Sequence, residues 1–326
     1  MNRRVLALVL AVFLVSTAAL IGLGVEATEV PLEFSPSGST VDVYLSGEGP
    51  FRFLVQADSE YTFLSDDIVS SLALEPTEEN GAEIVKVAEL ELGDQLFENI
   101  HARVIPSEYI SSGEGGPHGI LGWGVLKDYL VTMDFPRQKL VLKKGKLNQK
   151  KDKNVLGLEL HPSVGSIDSG QVPSIPIQIG EIFLRAEINS TNQSGLALPE
   201  ELADRIPLQG TPGVIGRART PDGEFVIKGA SLDVDVQIGL EVIPSPRARF
   251  SGLYKHPGLG YEVLREFEVT FDYRQNLVRL VRPAGVTDPQ QVRAAQVAEI
   301  GGEATLRAAF NRDKGKVRLL MILSPT

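Results

Sequence analysis

No cysteine occurs in this chain of 326 residues, and it carries a single tryptophan, Trp123. The first absence excludes disulfides, thiolate nucleophiles and zinc–thiolate centres, so stability has to come from burial. Histidine is scarce too: the four residues His101, His118, His161 and His256 show no ligand spacing along the chain, and the sequence alone points to no metal and no cofactor. Positive charge is in deficit, with 32 Lys and Arg against 42 Asp and Glu and a net charge of −10. Nucleic acids are held by cations that neutralise phosphates, so this balance argues against a nucleic-acid partner. Peptides, proteins and small molecules remain open. Hydrophobic residues make up 43%, enough for two ordinary cores of about 100–150 residues each.

Charge is missing altogether from Val5 to Val25, directly after Arg3 and Arg4. A basic start followed by an apolar run reads as an export signal, and Val25-Glu26-Ala27 offers small residues to a signal peptidase. Residues 1–27 are therefore expected to be a cleaved signal peptide, the alternative being a membrane anchor through residues 5–25, a run long enough to span a bilayer. A buried core helix fits poorly with the arginine pair. The protein is expected to be exported, to a periplasmic or extracellular location, with inner-membrane anchoring as the variant reading.

What the chain does contain is a duplication. The stretch 122–142 (GWGVLKDYLVTMDFPRQKLVL) aligns without a gap on 260–280 (GYEVLREFEVTFDYRQNLVRL). Identities fall at Gly122/Gly260, Val125/Val263, Leu126/Leu264, Val131/Val269, Thr132/Thr270, Asp134/Asp272 and Leu142/Leu280, with Trp123/Tyr261 and Phe135/Tyr273 among the conservative pairs. So long a period means repeated domains, not short solenoid units. Short apolar runs broken by turn residues give all-β patterning: Thr40 to Leu45, Phe51 to Val55, Glu83 to Leu92, Ile100 to Ile105, Tyr129 to Asp134 and Lys139 to Leu142 in the first half, then Ser174 to Ile179, Ala230 to Ile238 and Glu268 to Asp272. Two short helices are expected, Ser65 to Leu74 with Ser65 as N-cap and Leu198 to Ile206 with Pro199 near its start. The organisation read from this is lobe one at 30–143, a basic linker at 144–154, lobe two at 155–283 and a tail at 284–326. The lysine-rich linker reads as solvated, with an anionic-surface contact as the weaker alternative.

The segment His118-Gly119-Ile120-Leu121-Gly122, continuing into Trp123–Leu126, together with Leu259-Gly260-Tyr261 in the second half, resembles the C-terminal half of a retropepsin-like aspartic protease lobe, in which a hydrophobic–hydrophobic–Gly segment supports the catalytic turn. The resemblance covers about residues 30–282 and is to exported bacterial proteins with two such lobes in one chain. It implies a mainly β fold of two tandem retropepsin- or pepsin-like acid-protease β lobes with short helices; the separate reading of residues 284–326 adds a C-terminal α/β tail to the expected fold. It also implies a catalytic Asp-Thr/Ser-Gly turn after an apolar strand in each lobe. The chain departs from that pattern in both. Gln56 stands at the first catalytic position, followed by Ala57 and Asp58, and Asn189 at the second, followed by Ser190 and Thr191. A carboxamide cannot share or accept the proton that two adjacent carboxylates use to activate water. Gly is replaced by Asp58 and Thr191 where a close backbone approach would favour it.

Other carboxylates offer weaker routes to catalysis. Asp58 serves as the catalytic Asp only if two residues are deleted before Leu64; Glu60 lies in the same turn, and Glu187 shares a strand face with Asn189. The bland reading of all three is a solvated surface carboxylate. Asp134 and Asp272 read as turn-forming residues, and Asn189-Ser190-Thr191 and Asn192-Gln193-Ser194 match the glycosylation acceptor pattern, a short motif that recurs by chance.

In the tail, Asp288 to Val292 opens a helical pattern, and Lys316 to Thr326 resembles the first strand of a thioredoxin-like domain stopped where a redox motif would begin. A truncated frame or a selenocysteine codon read as stop is one account; a strand completing lobe two is the other. The leading functional expectation is an exported aspartyl protease-like protein that is catalytically inactive and binds a peptide or protein segment in its inter-lobe cleft, with Ala57, Asp58, Ser190, Thr191, Ile120, Leu121, Gly122, Leu259 and Gly260 lining or supporting it. The alternatives are an active aspartic endopeptidase with a non-standard carboxylate pair, and the N-terminal part of a thiol or selenol oxidoreductase.

Overall fold

The duplicated segment organises the molecule. A computed structural model describes residues 27–284 apart from 36, 111–114, 165–167 and 221–222, so the expected signal peptide or anchor and nearly all of the expected tail lie outside the described residues. In each copy of the repeat a glycine in extended conformation starts a one-turn helix, Trp123–Leu126 or Tyr261–Leu264. A β-hairpin follows: Leu130–Asp134 with Lys139–Lys143, and Glu268–Asp272 with Leu277–Val281. Asp134 and Asp272 make the hairpin turns. Asp134 Oδ1 accepts from Arg137 N at 3.1 Å and Asp272 Oδ1 from Gln275 N at 3.2 Å, each mimicking a backbone turn.

The two copies meet along one antiparallel seam. Strand Leu130–Asp134 pairs with Glu268–Asp272 so that Thr132 faces Thr270, its own repeat partner. A strand that pairs with its own copy in this register places a pseudo-two-fold axis between the two threonines, whose hydroxyls lie 2.8 Å apart. The six-stranded sheet is symmetric about this seam, running Thr28–Pro31, Lys139–Lys143, Leu130–Asp134, Glu268–Asp272, Leu277–Val281, Val155–Gly157. Each lobe adds its own sheet, of eight strands in lobe one and ten in lobe two. The architecture is thus mainly β and two-lobed.

Alternation decides which faces are buried. In Gly38–Leu45, Val41, Val43 and Leu45 point inward while Asp42 and Tyr44 stay exposed. The core of lobe one holds Phe53, Leu64, Leu121 and Leu126, and that of lobe two Phe250, Leu259, Leu264 and Phe267. Aromatic pairs cross the seam in matched fashion: Trp123 stacks on Tyr273 at 4.7 Å between ring centroids, and its repeat partner Tyr261 meets Phe135 at 6.0 Å.

Helices are shorter than the sequence predicts. The first spans Asp66–Ser71, with Ser65 Oγ accepting from Ile68 N at 3.3 Å. It stops early because Ala73 takes a left-handed φ of 49°. Its counterpart in lobe two is one 3₁₀ turn, Glu200–Leu202, preceded by strand Leu196–Pro199. Leu198 and Pro199 pair in parallel with Phe250 and Ser251, so sheet burial overrides the helical spacing there. The run Ala230 to Ile238, expected as one strand, divides between Gly223–Ser231 and Val236–Ile238, because Ser231 pairs with Arg247 whereas Val236 pairs with Ile179 on a different strand. Among the described residues no helix is long and apolar enough to cross a membrane.

Candidate functional site

Two structurally equivalent turns lie where the lobes meet. In lobe one, strand Glu48–Gln56 runs parallel to Gly119–Gly122, with Gln56 beside Gly122, and the chain turns through Ala57, Asp58 and Ser59. In lobe two, strand Ile182–Ile188 runs parallel to Gly258–Leu259, and the chain turns at Asn189. The supporting residues Ile120, Leu121, Gly122, Leu259 and Gly260 are all buried. A Cβ on Gly122 would sit 2.2 Å from the carbonyl oxygen of Tyr61, and one on Gly260 2.1 Å from that of Ser194. Only glycine lets the turn and its support approach this closely.

Backbone hydrogen bonds fix the equivalence of the turns. The first residue of each repeat helix donates to the third residue after the turn-opening carboxamide: Trp123 N to Ser59 O at 2.8 Å, and Tyr261 N to Asn192 O at 2.7 Å. Gln56 and Asn189 therefore occupy matching positions. Asn189 Oδ1 is already committed, accepting from Thr191 Oγ1 at 3.0 Å and Asn192 N at 2.8 Å. Asn192 repeats the device for Ser194. These side-chain bonds replace the turn that a glycine would otherwise ease.

Contacts between lobes converge on the same place. Ser190 is fully buried and donates its hydroxyl to Val55 O, the carbonyl just before Gln56, at 3.1 Å. Tyr273 donates its phenol to Ala57 O at 3.4 Å. A Cβ on Gly38 would lie 3.0 Å from the Thr191 methyl. Glu60 N donates to Ser169 O at 2.8 Å, and Glu60 Oε2 accepts from Gln171 N at 2.9 Å.

The carboxylates differ from the solvated reading their sequence positions allow. Asp58 is half-buried, and its Oδ1 is closed to solvent and accepts no hydrogen bond. Burial, with a smaller push from the charge of Glu187 and partial relief from a backbone N–H, raises Asp58 from the ordinary 3.8 to about 7. Burial likewise raises Glu187, opposed by His161 and His256. Glu60 is tied into the bond with Gln171. Burial, and then the charge of Asp58, pushes the Tyr273 phenol well up.

The histidines divide. His118 Nδ1 accepts from Arg52 N at 3.1 Å, a structural role, and His101 is exposed on strand Gln95–Ile105. His161 and His256, far apart in sequence, come together beside Glu187. One donor atom of each of the three residues lies within 4.8 Å of the others. Spacing along the chain does not forecast this meeting, because three separate segments supply the residues. The available signal was different: Glu187 is a charged residue at the strand position where lobe one has Leu54, and His256 repeats His118.

A separate groove of about 610 Å³ runs along lobe one between strand Gln95–Ile105 and the repeat helix, with Tyr61, Phe97, Asp128 and Lys144 in its walls. A scan against models of known protein families finds no match, and a search of the curated proteins likewise finds none.

Proposed function

We propose that the chain is an exported, two-lobed protein resembling retropepsin-like aspartic peptidases, in which the catalytic carboxylates are replaced and the cleft between the lobes holds an extended peptide or protein segment without cleaving it. The pseudo-two-fold seam through Thr132 and Thr270 supports the two-lobed likeness. The observation that carries the loss of catalysis is the pair of matching turns opened by Gln56 and Asn189. Neither side chain titrates, and the Asn189 oxygen already accepts two local hydrogen bonds. Activation of water by a shared proton needs two adjacent carboxylates, and these positions supply none. A periplasmic or extracellular location, with the N-terminal segment as signal or tether, follows from the basic–apolar start of the sequence.

One observation favours a second reading, an active endopeptidase with a displaced carboxylate pair. Asp58 and Glu187 are both raised, and the charge of one acts on the other. The same assay decides between them: full-length chain on mixed peptides from acid to neutral pH, beside a Gln56→Asp/Asn189→Asp variant. The proposal expects peptide binding without turnover by the natural chain, and turnover gained by the double variant. Turnover by the natural chain that disappears in Asp58→Asn establishes the second reading instead.

A further inference from the structure

We propose that His161, Glu187 and His256 form a binding site for a divalent transition-metal ion, zinc foremost, beside the lobe-two turn. The sheet builds the site. His161 lies in strand Glu159–Pro162 opposite Val172, and Glu187 in strand Ile182–Ile188 opposite Ser174. Both flank the strand Gln171–Ile179, at partner positions two residues apart, so they share one face. His256 arrives from the segment leading into Gly258–Leu259, which Glu187 N anchors by donating to Pro257 O at 2.8 Å. Strands hold side chains more accurately than free loops do.

Hydrogen bonding prepares His161 as a ligand. Its Nδ1 lies 3.3 Å from Pro162 O, which accepts only if Nδ1 carries the proton. In the neutral ring Nε2 is then an unprotonated donor to metal, and it faces Glu187 Oε1 at 3.6 Å. Two electron-rich atoms set against each other repel unless a cation lies between them. A carbonyl that fixes the tautomer of an imidazole from behind is the usual outer support of a metal-bound histidine. A protonated His161 paired with Glu187 accounts for that one contact. A metal site needs a third donor beside this pair, and the second imidazole, whose ring centroid lies 5.2 Å from that of His161, supplies one.

Bond lengths of about 2.0–2.2 Å to zinc put neighbouring donors on a tetrahedral ion roughly 3.3–3.6 Å apart. The His161–Glu187 pair already matches, and His256, exposed at the surface, closes the rest by rotating its side chain. It also leaves the ion a path of entry. Two imidazole nitrogens and one carboxylate oxygen suit zinc and its first-row neighbours better than calcium or magnesium, which take oxygen ligands. Three protein donors leave a fourth position for water or for an acidic group of a bound partner.

The test uses the full-length chain dialysed against a chelator and titrated at neutral pH with Zn²⁺ in competition with a chromophoric chelator, and in parallel with Co²⁺ followed by visible absorption. One Zn²⁺ per chain and an intense Co²⁺ band are expected. His256→Ala and Glu187→Gln should each weaken Zn²⁺ by more than the roughly 10–100-fold that loss of an outer-shell partner costs, and should collapse the band. Because His256 is exposed, its variant should melt like the metal-free natural chain, which separates loss of a ligand from loss of fold. Failure to bind stoichiometric Zn²⁺, or binding that keeps its affinity in both variants, overturns the assignment. Neither readout depends on peptide binding or cleavage.

Discussion

Replacing Asp58 by Asn should change the stability of the fold in a pH-dependent way. The carboxyl rises from 3.8 to about 7 on folding, roughly three pK units, and at about 1.36 kcal/mol per unit the ceiling on its effect is about 4 kcal/mol. The side chain keeps some solvent contact, so about 2 kcal/mol is the working expectation. The sign follows from proton linkage. A folded state that holds its proton more tightly than the unfolded chain gains nothing from this group below pH 3.8, where both are protonated. It loses stability progressively as pH rises from 3.8 to about 7, and no more above. The amide of the variant does not titrate, so the stability of Asp58→Asn minus that of the natural chain should climb between pH 4 and 7 and then level off. That amide brings an N–H₂ that needs partners and leaves an orphan acceptor behind, at about 1–3 kcal/mol. These costs do not vary with pH, so they shift the whole difference curve and leave its shape intact. The single tryptophan is a suitable reporter, because Trp123 is buried and stacks on Tyr273, whose hydroxyl meets the same turn at Ala57. Guanidinium unfolding followed by Trp123 fluorescence, at half-unit steps from pH 4 to 8 in chelator, measures the curve. A difference that is flat across this range, or that falls with pH, refutes the assignment of Asp58 as a buried acid.

Gly260→Ala should lower stability by about 3 kcal/mol or prevent soluble expression, because the new methyl would meet Ser194 O at 2.1 Å; Gly216→Ala, whose Cβ meets nothing within 4 Å, serves as the control in the same denaturant titration. Thr132→Val and Thr270→Val should each cost about 1 kcal/mol by stranding the partner hydroxyl at the seam, and the double variant should cost less than the sum, a coupling that a double-mutant cycle reads directly. Asn189→Ala should lose about 1–2 kcal/mol by freeing the Thr191 hydroxyl and the Asn192 N–H at once, with backbone exchange of Asn192 rising before global unfolding.

What could be read from the sequence, and what could not, follows from the range of the forces involved. The repeat was legible because a two-fold arrangement demands the same residues twice: Gly122 and Gly260 face equally close carbonyls, and Thr132 and Thr270 meet on the axis. Gln56 and Asn189 lie outside the aligned repeat, 122–142 with 260–280, and it is the structure that matches them, through the bond that the first residue of each repeated helix donates to its turn. Failures occurred where sheet pairing outweighed local preference. The apolar spacing of Leu198 to Ile206 suits a helix, yet Leu198 is buried in a strand paired with Phe250 and only Glu200–Leu202 is helical, a single 3₁₀ turn. The histidine pair failed for a different reason, because strand register places His161 and Glu187 two positions apart across a shared neighbour and no periodicity along one segment encodes that. The two lobes are therefore alike in their supports and unlike in what those supports carry. Lobe one presents Leu54 where lobe two presents Glu187, so a symmetric scaffold has acquired one polar, histidine-flanked wall. The duplication accounts for the fold, and this break in it marks where chemistry specific to the chain is to be sought.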